Sequence, residues 1–271
     1  MSHFQVRQIT TYPLKSTRGQ DHSAVVLGRR GLGYDRHWAL IDAAGTVLSG
    51  RKLPQLLDLD ARVANGRLWV VGPTMASSFE GSIDRYEESV LEVRFFGRDW
   101  PARGVSSAAD TWFSEALGVD CRLIYLPPDI TRTIPERHGG RAGDEVAFPD
   151  KAPLLLITEP SLADLNARLA EPIGADRFRA NLLLAGPIPP YAEDRWQYLR
   201  IGDCEFDVMG TCKRCVFTAI DPRTKEKHPR NEPLPTLASY RREGGSIPFG
   251  IYLTPRKLGT LRVDDVVEVL R

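Results

Sequence analysis

The chain has 271 residues, of which 42% are hydrophobic, 26% charged and 8% aromatic, which excludes a disordered, collagenous or coiled-coil protein. Lys and Arg number 36 against 35 Asp and Glu, so a net charge of +1 gives no general attraction to nucleic acid or to a membrane surface. Four cysteines are too few for a disulfide-stapled scaffold and fit a reducing compartment. The start, Met1 to Arg7, has no apolar signal region, and the aliphatic run Leu154–Ile157 is far short of the ~20 residues that span a bilayer. A soluble, cytoplasmic protein is expected.

The first hundred residues read as strands. Phe4, Val6 and Ile9 open a half-alternating run that stops at Tyr12-Pro13, and Arg36–Ile41 forms a second. Ala61–Val63 and Arg67–Val71 flank Asn65-Gly66, a strong hairpin signal because a type I′ turn needs positive φ at both central residues. Val90–Phe95 is a further strand, closed by Gly97. Ser107-Ala108-Ala109-Asp110 then resembles a capping box, and Trp112, Phe113, Ala116 and Leu117 make an apolar helical face ending at Gly118. Cys121–Leu126 reads as a strand, and Pro127–Asp144, rich in Pro, Gly and Arg, as a long surface loop.

Pro153–Thr158 is a buried strand feeding a helix with Leu162, Leu165 and Leu169 on one face. Strands follow at Asn181–Ala185, Tyr198–Ile201, Glu205–Met209, Val216–Ile220, Phe249–Leu253 and Arg262–Leu270, with a short helix between Thr236 and Arg242. The pattern predicts a two-part, β-rich α+β protein: a barrel-like unit over residues 1–112 and a second unit over residues 113–271.

Cys212-Lys213-Arg214-Cys215 is the first chemical candidate. Half a zinc site, a redox pair, a single thiolate ligand and two buried hydrophobes are all open readings of it. No second CxxC exists, and His3, His22, His37, His138 and His228 form no pair at ligand spacing, which counts against tetrahedral zinc. The β-like run after Cys215 counts against a thioredoxin-type motif, which opens a helix. Lys213 and Arg214 favour a lowered thiol pKa.

Basic residues with hydroxyls recur at turns: Lys15-Ser16-Thr17-Arg18-Gly19, Gly28–Gly33 with Asp35-Arg36, Arg51-Lys52, and Arg177-Phe178-Arg179. Singly each is a solvated surface charge; together they can converge on an anion such as a phosphate. The glycines at 28–33 precede no helix, so they are not a dinucleotide fingerprint.

Tyr12-Pro13-Leu14-Lys15-Ser16, Asp35-Arg36-His37-Trp38, Ser161–Asn166, Phe178-Arg179-Ala180-Asn181, Arg214–Thr218 with Asp221-Pro222, Pro248-Phe249-Gly250 and Gly259–Asp265 occur in one order along the chain. That set resembles the MOSC proteins preceded by a MOSC N-terminal β-barrel domain, and among them the mitochondrial amidoxime-reducing component and related bacterial reductases. The resemblance covers essentially the full length. It implies a molybdenum–molybdopterin cofactor (Moco) with Cys215 as the metal's protein ligand and catalytic thiolate. It implies Lys15, Ser16, Arg36, Arg179, Asn181 and Arg214 as cofactor-binding residues, and Thr158 as a hydroxyl near the cofactor, although a helix N-cap explains Thr158 equally well. Cys212 is then structural or adjacent to the ligand. The mitochondrial members carry a targeting and membrane segment, and some bacterial ones an appended iron–sulfur domain; neither is seen here.

The activity so implied is reduction of small N-hydroxylated compounds, amidoximes or hydroxylaminopurines, with electrons from a separate ferredoxin- or flavoprotein-type donor. No nucleic-acid or membrane partner is implied, and substrate is expected to enter beside the loop at 127–144. Two rivals remain: a Cys215 persulfide that passes sulfur to the cofactor, and a cofactor-binding protein without turnover.

Overall fold

A computed structural model describes residues 4–72 and 78–271. Residues 1–3, with His3, and 73–77 lie outside the described residues. Seven strands close into a barrel: β1 (Phe4–Thr11), β2 (Leu154–Thr158), β3 (Leu182–Ala185), β4 (Tyr198–Ile201), β5 (Cys204–Lys213), β6 (Pro248–Lys257) and β7 (Val266–Val269). The order is β3-β2-β6-β5-β4-β7-β1, and β1 pairs back onto β3. Six of the seven contacts are antiparallel. The parallel one joins β2 to β3, and its crossover carries helix α2 (Glu159–Asn166).

Crossover helices bury both faces of the strands they connect, and β2 is buried at every position for that reason. Leu154 and Leu156 point into the barrel with Val6, Ile9, Phe206 and Leu253, while Leu155 and Ile157 face an outer layer with Leu165, Phe178 and Phe249. Helix α3 (Leu234–Arg241) adds Leu237 to that outer layer. (Helix α1, Ser107–Leu117, belongs to the other unit.)

The rest of the N-terminal region builds an antiparallel sheet from residues 38–41, 122–125, 98–104 and 90–95, beside a three-stranded meander of residues 60–64, 67–71 and 78–82. Phe113 and Ala109 of α1 pack there against Leu56, Leu68, Val70 and Leu123. The expected join at residues 112 and 113 falls inside α1, and β1 shares the closed sheet with strands from the end of the chain.

Three local expectations are corrected. The α1 cap is Ser106, whose Oγ accepts the Ala109 N–H at 3.2 Å. Asp110 instead accepts from Leu123 N (2.8 Å) and Arg122 (3.1 Å), tying the helix to the strand that follows it. Arg262–Leu270 is two strands, 259–262 and β7, because Asp264 takes φ 70° and Asp265 accepts the Arg262 N–H at 2.7 Å. Val216–Ile220 is no strand: residues 216–219 form a 3-10 turn in which the Cys215 carbonyl accepts both Thr218 N (3.1 Å) and Thr218 Oγ1 (2.9 Å).

Gly250 sits in β6 at φ +77°, and a Cβ there would meet the Leu156 carbonyl oxygen and the Ile157 side chain at 2.6 Å. Gly250→Ala is therefore expected to cost more than the ~1–2 kcal/mol of a left-handed residue alone, read as a lowered urea midpoint. Among the described residues no helix is long and apolar enough to cross a membrane.

Candidate functional site

The two units meet at an open cleft. Three chain segments deliver its chemistry. The turn after β1 brings Lys15 and Ser16, anchored by Lys15 N–H donation to the Trp38 carbonyl at 2.9 Å. The segment before β3 brings Arg177, Phe178, Arg179 and Asn181. The end of β5 and the turn beyond it bring Cys212, Arg214 and Cys215. Register slips between Val208 and Gly210 and between Thr211 and Lys213 twist that end of β5 out of the plain ladder. Such bulges re-aim side chains at barrel rims.

Eight cationic side chains line the cleft, against one carboxylate, Asp150, among the described lining residues. In a chain of net charge +1 that concentration marks a site for an anion. Several donors also lack partners: Arg177 Nε, Arg179 Nη2 and Arg214 Nε are buried without a hydrogen bond among the described residues. A buried donor left unpaired costs about 1–3 kcal/mol, so three at one cleft point to a ligand that would satisfy them.

Left-handed backbone occurs here as well. Ser16, Arg36 and Arg179 all hold left-handed φ values, 70°, 52° and 53°. Residues other than Gly, Asn and Asp seldom adopt that region, and such outliers cluster at functional sites.

Arg36 is the centre of the polar web. Its Nη1 donates to Asp35 (2.5 Å) and to Asn181 Oδ1 (3.0 Å), and its Nη2 to the Arg179 carbonyl (3.0 Å). Asn181 in turn accepts from Leu155 N at 3.1 Å and donates to the Thr10 carbonyl at 3.0 Å, stapling β1 to β2. The Arg36 and Arg179 guanidiniums both lie over the Tyr12 ring, at 4.4 and 4.1 Å. Burial draws Arg179 down to about 10, opposed by Tyr12 and assisted by Arg36, and burial pushes the Tyr12 phenol up to about 12.

Lys15 is buried and donates to the Phe148 carbonyl (2.9 Å) and Asp150 (2.5 Å). Burial lowers its pKa, and Asp150 only partly restores it. Burial alone would raise Asp150, but Lys15, Arg51 and Arg36 hold its carboxyl below the usual carboxylate range.

The two CxxC cysteines differ sharply. Cys212 is buried, and Arg214 Nη1 donates to its sulfur at 2.9 Å. Cys215 is exposed at the cleft, with Arg51 Nη1 3.7 Å from its sulfur. One sulfur is packed; the other is available.

Of the residues singled out by sequence, Lys15, Ser16, Arg36, Arg179, Asn181, Arg214 and Cys215 all line this cleft. Thr158 does not. It ends β2 and caps α2, accepting the Ser161 N–H at 3.3 Å, and its hydroxyl donates to Ser161 Oγ at 2.8 Å beside the buried Glu193. The helix cap fixes its direction away from the cleft. Of the basic turns, Arg51 and Arg177 join the site, whereas Arg30 clamps the long loop by donating to the carbonyls of Leu126, Pro127, Pro128 and Ile130. That loop contributes no residue to the described lining, which takes up residues 149–152 just beyond it. Asp150 and Tyr252 were missed, and no local motif marks either.

Residues 143–268 match the family model described as the MOSC domain, and residues 3–120 match the MOSC N-terminal beta barrel domain. The chain belongs to the MOSC family. This MOSC chain is 32% identical to mitochondrial amidoxime-reducing component 1 of Danio rerio, over 97% of its own length and 83% of the relative's. For mitochondrial amidoxime-reducing component 1 of Homo sapiens the identity is 31%, covering 98% and 82%. It is also 34% identical to molybdenum cofactor sulfurase of Oryza sativa subsp. japonica, over 93% of this chain but 33% of the sulfurase. The MOSC chain thus spans a third of that sulfurase and more than four fifths of the amidoxime-reducing components.

Proposed function

We propose that this MOSC protein binds a molybdenum–molybdopterin cofactor in the cationic cleft and is an oxidoreductase reducing small N-hydroxylated compounds, such as amidoximes or hydroxylaminopurines. The observation that carries the reading is an exposed Cys215 thiol, beside Arg51, at a cleft of eight cations with unpartnered buried donors. The names of its relatives, molybdenum cofactor sulfurase and amidoxime-reducing component, point the same way.

Among the described residues no three His, Cys, Asp or Glu side chains gather around a metal position, so a metal at Cys215 needs further ligands from a cofactor. When bound, that cofactor supplies two-electron redox chemistry at a sulfur-ligated metal. The protein's part is to hold and orient it. Cys215 provides the metal ligand. Lys15 and Ser16 would hold the cofactor's anionic end, and Arg36, Arg179 and Arg214 would offer guanidinium donors, with Asn181 keeping Arg36 in register. Electrons come from a separate ferredoxin- or flavoprotein-type donor.

The test is to purify the protein from a host that makes the cofactor, measure molybdenum and pterin fluorescence, and assay benzamidoxime with reduced methyl viologen. Near-stoichiometric metal with pterin, and formation of benzamidine, are expected. A second reading draws on the Arg51–Cys215 contact, a cationic donor beside an accessible sulfur. There Cys215 carries a persulfide for cofactor sulfuration. Mass spectrometry separates the two: a labile extra sulfur atom on Cys215, without retained metal, would replace the reductase reading.

A further inference from the structure

The chain contains the same two-residue hairpin turn twice. Asn65-Gly66 joins the strands paired at Ala64 and Arg67, with φ of 50° and 69°. Phe96-Gly97 joins the strands paired at Phe95 and Arg98, with φ of 52° and 72°. The first turn uses the residue this geometry favours. The second places a bulky aromatic where Asn, Asp or Gly belongs.

Folding does not account for Phe96. Its ring leans on Phe95 at 4.6 Å, yet 57% of the residue stays exposed, so the turn accepts an unfavourable backbone and an unfavourable surface together. Its position is the second observation. The Arg51 guanidinium lies 5.5 Å from the Phe96 ring centroid, and the same side chain reaches Asp150 at 3.4 Å and the Cys215 sulfur at 3.7 Å. Phe96 does not line the cleft itself but packs against Arg51, which does, so it stands one side chain removed from the candidate reactive sulfur. Phe217 is a partly exposed aromatic in the cleft wall itself.

We propose that Phe96 is a specificity-determining residue, an aromatic platform at the mouth that selects N-hydroxylated compounds carrying a planar aromatic or heteroaromatic ring over small aliphatic ones. The inference rests on reading the cleft as the place where such compounds react. A flat ring stacks on the exposed phenyl surface, and the polar N–OH end is left to reach inward past Arg51 towards Cys215. Arg51 is a hydrogen-bond donor on that path, so a neutral amidoxime is accepted there, whereas a cationic amidine is repelled by the guanidinium. The platform thus favours aromatic substrate entering over charged product staying.

The test compares the cofactor-loaded protein with its Phe96→Asn and Phe96→Tyr variants. Phe96→Asn restores the residue the turn prefers, so its melting temperature should not fall, which separates lost recognition from lost folding. The ratio of kcat/KM for benzamidoxime over acetamidoxime is expected to drop about fivefold in Phe96→Asn and to persist in Phe96→Tyr, the scale of one lost aromatic contact. Binding of benzamidoxime, followed by ligand-observed NMR on the same proteins, gives a readout independent of turnover. If neither compound is reduced, the reductase reading fails, and the NMR comparison still decides the role of Phe96. Equal benzamidoxime binding by parent and Phe96→Asn, or no binding by the parent, overturns the inference.

Discussion

Cys215→Ser is expected to fold normally, to carry molybdenum only at background, and to reduce benzamidoxime no faster than reagents without protein. The sulfur is exposed and its nearest polar neighbour is Arg51 Nη1 at 3.7 Å, so its replacement by oxygen should move stability by no more than about 0.5 kcal/mol. The metal chemistry changes far more. A cysteine binds a metal as a soft thiolate, whereas a serine hydroxyl is a hard ligand that stays protonated at neutral pH.

Cys212→Ser is the matching control. That sulfur is buried and held by Arg214 at 2.9 Å, so its loss should lower stability by about 1 kcal/mol while leaving the metal in place. Elemental analysis and thermal melting on both variants read the contrast. Loss of molybdenum from Cys212→Ser with retention in Cys215→Ser would move the ligand to the other sulfur.

That contrast was only half legible in the sequence. The Cys212-x-x-Cys215 spacing drew attention to both sulfurs, but their division into packed and available follows from where β5 ends. Strand pairing runs to Lys213, opposite Pro248, and carries Cys212 into the outer layer with Phe178 and Phe249. Cys215 lies past the last paired residue. The following Val216-Phe217-Thr218-Ala219 has the β-branched and apolar character of a strand, yet the Cys215 carbonyl finds its donors in Thr218 and closes a turn. Local hydrogen bonding there overrides propensity.

Short-range signals fared best where the deciding chemistry is short-range. Asn65-Gly66 gave the meander turn, and Gly118 closes α1 at φ 66° as a C′ glycine. The anion cleft was legible as recurring basic turns, but their convergence needs β1 and β3 paired in one barrel, with partners such as Ile9 and Leu182 far apart in the chain brought together. Asp150 and Tyr252 carry no motif because their roles arise only from that convergence. Thr158 shows the opposite: its N-cap role is written in the Glu159-Pro160-Ser161 that follows it, and the local reading prevailed.

The same convergence makes Arg36 the costliest side chain in the web to remove. Arg36→Leu should destabilise the protein by about 3–5 kcal/mol, because it leaves Asp35 as a fully buried carboxylate whose other described contact is the Tyr12 N–H at 2.8 Å. The Asn181 and Arg179 carbonyl oxygens lose donors in the same step. Most of that loss is the penalty of an unpaired charge rather than the worth of the pair. Adding Asp35→Asn to Arg36→Leu removes the charge while keeping an oxygen for Tyr12 N, so the double variant should recover part of the stability. Urea unfolding of both variants in phosphate-free buffer measures this, and non-additivity of 1 kcal/mol or more, on the order expected for directly paired residues, is the signature sought. If Arg36→Leu unfolded at the parental midpoint, Asp35 would have to be neutralised by another group, and Arg179, whose Nη1 donates to the Thr17 carbonyl but whose Nη2 has no partner among the described residues, would be the first place to look.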